Sequence, residues 1–267
     1  MPATEPADTA LLAARLAACV REAGALALSM FGMPLKNWTK GASSPVSEAD
    51  IAVDELLRAG LSAAAPDIAW LSEESVDDPA RLDAKRVWIV DPIDGTRGYI
   101  AGLPDWAVSA ALVENGRPIA ACLFAPVTDE FFMAVAGCGA TRNGVPIAAS
   151  KGADLADVRF AGPKNFLERL GTIAPPFTIT PRLHSLALRL AGVAQGSIDA
   201  AIAGGSSHDW DLAAADLLVH EAGGAVTPFN GEKLRYNCPV PRHGMLVAAG
   251  RERHAALLQL LKRVPAA

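Results

Sequence analysis

A mixed α/β fold is what this chain predicts, on three observations. Two stretches of helical periodicity precede the first strand-like run. From residue 68 to residue 144 short apolar runs follow one another with turn residues between them. Beyond residue 157 strand-like and helix-like segments alternate. At 267 residues and 51% hydrophobic content, the chain can bury a core for one large domain or two closely joined subdomains. Aromatic residues make up only 6%, so that core must be largely aliphatic and alanine.

The first helix is expected over residues 9–30, rich in alanine and leucine, with Asp8 or Thr9 as its N-cap. Residues 36–45 read as a polar loop. A second helix starts near Ser47 and runs to about Ala64, stopped by Pro66. A short strand over 68–71 enters the acidic loop 72–78. The strand 87–90 leads directly into Asp91-Pro92-Ile93-Asp94-Gly95-Thr96. Strands follow at 108–113, 119–124 and 131–135, with turns at Asn115-Gly116 and near Thr128-Asp129, and Asn143-Gly144 is a hairpin signal. The segment 151–157 is the expected boundary between an N-terminal part (1–150) and a C-terminal part (151–267). The second part carries helices at 185–194 and 211–222, the latter closed by Gly223-Gly224, then a strand at 245–249 and a last helix at 252–263.

The bulk properties exclude some functions. A net charge of -5 argues against a nucleic-acid or anionic-membrane surface. Cys19, Cys122, Cys138 and Cys238 are scattered without a CxxC pair, which fits reduced thiols better than disulfides or zinc. No apolar run reaches the roughly 20 residues of a membrane span, and Glu5 and Asp8 precede the first apolar stretch. The expectation is a soluble cytoplasmic protein.

Three acidic groups stand at strand ends or at a helix start: Glu73-Glu74, Asp91 with Asp94, and Asp209 with Asp211. Oxygen-only donors suit a hard cation such as magnesium. Two such ions about 3.5–4 Å apart can clamp a phosphoryl group and lower the pKa of a water. The amides of Gly95 and Thr96, if they open a helix, would add phosphate donors. Each group also has a plain reading: Asp91 and Asp94 as an Asx-turn around Pro92, Asp211 as a helix cap, Glu73-Glu74 as a solvated loop. Asp50 alone would be an exposed helix residue in most sequences.

Five segments resemble the inositol monophosphatase-like, magnesium-dependent and lithium-sensitive phosphatases: SEADIAVDE (47–55), SEES (72–75), WIVDPIDGT (88–96), GATRNG (139–144) and WDLAAADLLVHEAGG (210–224). The likeness covers most of the chain. It implies a layered α-β-α-β-α sandwich, a homodimer, and two or three Mg2+ per site. Glu73, Asp91 and the main-chain carbonyl of Ile93 would hold the first ion. Asp91 would bridge to a second, shared with Asp94 and Asp211, and a third, looser ion would share Glu73. Thr96 and Asp50 resemble the pair that orients the attacking water, with Glu73 nearby, and no phosphoenzyme forms. Expected substrate contacts are Asp94, Gly95, Thr96, Ser185 and Asp211. Lys40 resembles a lysine of the metal-site loop, and Glu74 and Asp209 are expected behind the ligands or on the surface.

Two departures bear on the substrate. Inositol-preferring members carry a glutamate shortly before the WD aspartate, whereas residues 200–208 hold no acid. His184 stands where members tend to have glycine. The reading is a phosphomonoesterase for a small polyol or sugar phosphate. The alternative is a 3'(2'),5'-bisphosphate nucleotidase, with Lys164, Arg182 and Arg97 as candidates for the second anionic group. A histidinol-phosphate phosphatase and a non-catalytic partner of transcription machinery are further alternatives.

Overall fold

The computed structural model describes residues 6–40 and 44–263. Along the chain come helix α1 (Pro6–Met30), the hairpin β1 (Asn37–Lys40) and β2 (Ser44–Ser47), α2 (Glu48–Ala64), β3 (Ala69–Ser72), a 3-10 turn (Pro79–Asp83), β4 (Arg86–Asp94) and the short α3 (Thr96–Ile100). Five strands follow: β5 (Ala107–Glu114), β6 (Arg117–Ala125), β7 (Glu130–Val135), β8 (Ala140–Arg142) and β9 (Val145–Pro146). The remainder is β10 (Arg159–Ala161), α4 (Lys164–Leu170), β11 (Thr178–Ile179), α5 (Leu186–Ala194), β12 (Ala200–Ala203), β13 (Ser207–His208), α6 (Asp209–Glu221), β14 (Gly224–Pro228), β15 (Arg242–His243), β16 (Leu246–Gly250) and α7 (Arg251–Leu261).

These elements stack as the five alternating layers that the sequence resemblance implies. A seven-stranded sheet runs β3-β4-β5-β6-β7-β8-β9, parallel at β3/β4 and antiparallel elsewhere. A five-stranded sheet runs β11-β10-β12-β16-β14. Alternation along β4 divides its side chains between two cores. Trp88 and Val90 face α1 and α2, whereas Val87 and Ile89 face α5 and α6. A third core joins the far face of the smaller sheet to α4 and α7. Alanines fill much of the central core, including Ala111, Ala187, Ala191 and Ala213 to Ala215, so backbones approach closely there.

The structure differs from the sequence expectation in several places. Residues 36–45 were expected as a loop, yet β1 and β2 pair antiparallel on either side of 41–43, which lie outside the described residues. The strand expected at 87–90 continues to Asp94 through an irregularity between Asp91 and Asp94, where Pro92 has no amide to give the ladder. Strands β10, β12 and β14 and helix α4 were not anticipated. Their segments are short, and β12 (AAIA) is buried on both faces, so no periodicity marks it. Both Asn-Gly turns form with positive φ, at 52° and 78° for Asn115 and Gly116 and at 49° and 78° for Asn143 and Gly144.

Candidate active site

Register brings the first two candidate ligands together. Strands β3 and β4 are parallel with Ser72 opposite Val90, and the Glu73 amide donates to the Val90 carbonyl at 3.3 Å. Residues 73 and 91 therefore emerge side by side at the same sheet edge. Helix α6 points its first turn at that edge, and one carboxylate oxygen from each of Glu73, Asp91 and Asp211 lies within 4.8 Å of the others. Asp94 joins them along a cleft of about 180 Å³, with Ile93, Gly95 and Thr96 in its lining.

The plain structural roles coexist with the chemical ones. Asp91 Oδ1 accepts the Ile93 amide at 3.0 Å, and Asp211 Oδ2 accepts the His208 amide at 2.6 Å as part of a capping box. Each carboxylate thus uses one oxygen to fix its rotamer and leaves the other for the cluster.

Electrostatics show what this costs. Burial, then Asp211 and Glu74, push Glu73 up to about 8. Burial and then Asp94 push Asp211 up to about 7. Asp91 is raised well above the ordinary carboxylate range by burial and by Glu73, Asp94 and Asp211. Asp94 is raised by burial, against the pull of the Ser185 hydroxyl and the Ala187 amide. Carboxylates crowded this way ionise together only when positive charge is present. A set of carboxylate oxygens with no histidine or cysteine suits magnesium better than zinc.

Comparison with known proteins agrees. The model of the inositol monophosphatase family matches residues 8–266. The chain belongs to the inositol monophosphatase family. An inositol-1-monophosphatase from Mesorhizobium japonicum is 34% identical over 233 residues, covering 84% of this chain and 85% of that protein. A Nus factor SuhB from Xylella fastidiosa is 34% identical over 225 residues, covering 80% of each. The crystal structure of the suppressor protein SuhB from Bartonella henselae superposes with a TM-score of 0.83 at 30% identity, covering 94% of this chain and 98% of that one. The family consists of phosphatases that are generally magnesium-dependent, and this member carries an acidic cluster that could hold a metal ion.

Other expected residues of this phosphatase fall on both sides of the prediction. Thr96 Oγ1 lies 3.0 Å from Asp50 Oδ1 and 3.0 Å from the Ile93 carbonyl oxygen. Asp50 is only 2% exposed and not a surface helix residue, because its other oxygen takes the Ser47 amide and hydroxyl. Gly95 adopts φ 97°, and a side chain there would meet the Asp105 carbonyl and the Ser185 amide at 3.0 Å. Arg97, Arg182 and His184 line the cleft.

Ser185 is a correction. It is fully buried as the N-cap of α5, its hydroxyl donating to Asp94 Oδ2, so it supports Asp94 from behind the cleft. Lys164 is a second correction. It opens α4 in the outer layer with its side chain 82% exposed, 3.7 Å from Glu168, and is not part of the cleft lining. Asp209, expected as a support or a surface residue, is fully buried. Lys40 donates to the Glu73 carbonyl and lies 3.4 Å from Glu74, so Glu74 pairs with a lysine beside the cluster.

Sequence reasoning missed Asp54 and Asp105. Asp54 accepts from both Ser72 and Ser75, the serines flanking Glu73-Glu74. Its signal was the four-residue spacing from Asp50 along one helix face. Asp105 accepts the His184 amide at 2.5 Å and lies 2.8 Å from its Nδ1, setting that ring at the cleft wall. No local pattern announces that contact.

Proposed function

We propose that this phosphatase hydrolyses a small phosphorylated metabolite, a polyol or sugar phosphate of the inositol monophosphate kind, at the Glu73–Asp91–Asp211 cluster. The observation that carries the reading is the convergence of those carboxylates beside the Thr96–Asp50 hydrogen bond. Glu73, Asp91, the Ile93 carbonyl, Asp94 and Asp211 would hold two or three magnesium ions. When bound, those ions supply Lewis acidity that lowers the pKa of a water and offsets phosphate charge.

The chain's own groups do the rest. The Thr96 hydroxyl donates to Asp50 and keeps a lone pair to accept a hydrogen bond from the attacking water, aligning its oxygen on phosphorus. The Gly95 and Thr96 amides would donate to a phosphate oxygen, and Gly95 itself is required by its positive φ and by the Asp105 and Ser185 backbone packed against it. A bond forms from the water oxygen to phosphorus as the P–O ester bond breaks; the alcohol takes up a proton from solvent, the proton given up by the attacking water returns to solvent, and no side chain is phosphorylated. The chain keeps Glu73, Asp91, Asp94, Thr96 and Asp211, which supports turnover over a purely non-catalytic binding role.

A bisphosphate substrate is the second reading, favoured by Arg182 in the cleft lining and weakened by the distance of Lys164 from it. The test is phosphate release from inositol 1-phosphate, adenosine 3',5'-bisphosphate and histidinol phosphate, with and without magnesium. Expected is magnesium-dependent release of the polyol phosphate, abolished in Asp91→Asn. Magnesium-independent turnover, or none on any ester, would count against the assignment. A selective loss on the bisphosphate in Arg182→Ala would move the assignment to the nucleotidase.

A further inference from the structure

The β3/β4 register fixes Glu73 against Asp91, but nothing in that sheet fixes Asp211. Helix α6 docks through apolar packing, which is non-directional, and the acidic groups at its tip and at Glu73 repel each other. A chain of hydrogen bonds behind the cleft supplies the missing direction. It begins at Asp77, four residues past Glu73, whose two carboxylate oxygens take Arg81 Nε and Nη2 at 2.5 and 2.9 Å. The Arg81 side chain is 1% exposed. Its Nη1 donates to Asn237 Oδ1 at 2.7 Å and to the Cys238 carbonyl at 3.2 Å, and Asn237 Nδ2 donates back to the Arg81 carbonyl at 2.8 Å. The Asn237 amide donates to Asp209 Oδ2 at 2.7 Å, and Asp209 Oδ1 lies 2.7 Å from His243 Nε2. Asp209 precedes Asp211 by two residues on α6.

We propose that this brace, Asp77–Arg81–Asn237–Asp209–His243, sets the spacing of Glu73 and Asp211 and with it the preference of the site for a small divalent cation. The proposal rests on reading the acidic cluster as a cation site. Burying an arginine and an aspartate is unfavourable unless their donors and acceptors are matched in good geometry, and here three separate chain segments provide the match. The planar guanidinium fork holds Asp77 and Asn237 at fixed angles that an ammonium would not impose. These are positioning residues, since they touch the elements that carry the ligands and not the ion.

The cation makes the test sharp. Magnesium demands near-ideal octahedral geometry at short distances, whereas calcium accepts longer and more variable ones. A loosened brace must therefore weaken magnesium more than calcium. Asn237→Gly is the clean change. Asn237 sits at φ 58°, which glycine adopts without strain, and the amide that donates to Asp209 is kept. Calorimetric titration of the full chain with each ion should show the magnesium Kd rising about tenfold or more. The calcium Kd should rise less than about threefold. Should Asn237→Gly fail to fold, Asp77→Ala severs the brace at its half-exposed end and reads the same ratio. Unchanged magnesium affinity, or equal weakening of both ions, overturns the brace alone. A wild-type chain that binds neither ion sinks the cation-site reading and the brace with it.

Discussion

In the metal-free protein, Glu73→Gln removes a charge that the fold resists. The Glu73 carboxyl is moved from 4.5 up to about 8, chiefly by burial and then by Asp211 and Glu74. At about 1.4 kcal/mol for each pH unit, full ionisation then costs the fold about 5 kcal/mol. The sign follows from the direction. A raised folded-state pKa means that this cost is absent below about pH 4.5, grows as pH rises, and is complete above about pH 8. Glutamine keeps the shape without the charge, and the two Lys40 contacts go to the Glu73 carbonyl and to Glu74, so both survive. With EDTA present, the variant should melt about 10 °C above the wild type at pH 9, on the usual conversion of roughly 2–4 °C per kcal/mol at this size. At pH 5 the two should differ by under about 1 kcal/mol. Circular-dichroism melts at both pH values measure this directly. Excess magnesium should then raise the wild type more than the variant, which keeps Asp91, Asp94 and Asp211 but lacks the Glu73 charge. If the variant melts at or below the wild type at pH 9 in EDTA, the account of a charge-strained cluster is wrong.

Three further outcomes follow from other contacts. Ser185→Ala deletes both the N-cap acceptor for the Leu188 amide and the donor to Asp94, and should cost about 2–3 kcal/mol in a denaturant titration; a loss under about 0.5 kcal/mol would mean that Asp94 needs no such support. Thr96→Val should lower kcat by about 100-fold or more while KM stays within about threefold, because in the proposed mechanism the hydroxyl, bonded to Asp50, aligns water and does not hold the ester. Asp199 is raised by burial but pulled below the ordinary range overall by side-chain and backbone donors of Arg159, so its contribution is present above about pH 4 and lost on acidification. The wild type should lose about 1 kcal/mol more than Asp199→Asn between pH 5 and pH 2, after allowance for the half-exposed arginine, and chemical denaturation at each pH reads the difference.

Much of this molecule is written in local patterns. The spans of α1, α2, α5 and α7 follow from periodicity and caps, and the Asn-Gly pairs turn where their φ preferences permit. The donor chemistry is legible too, because carboxylates at strand ends and helix starts limit a site to hard cations whatever the fold. Other residues were not legible. Ser185 stands in the right segment but faces Asp94, and Lys164 stands in a plausible loop that proves to open a helix of the outer layer. Asp105 and Arg81 carry no signature, since each acts through a partner distant in sequence, and Asp54 shows only its four-residue spacing from Asp50.

The amino-acid sequence by itself determined the longer helices, the Asn-Gly turns and the chemistry available, since backbone preference and side-chain type act within a few residues. Only the tertiary structure decided which oxygens meet. That depends on the β3/β4 register, on the docking of α6 across the sheet edge and on a buried arginine linking them. Such long-range packing places Glu73, Asp91 and Asp211 within reach of one another, and no stretch of sequence contains that distance.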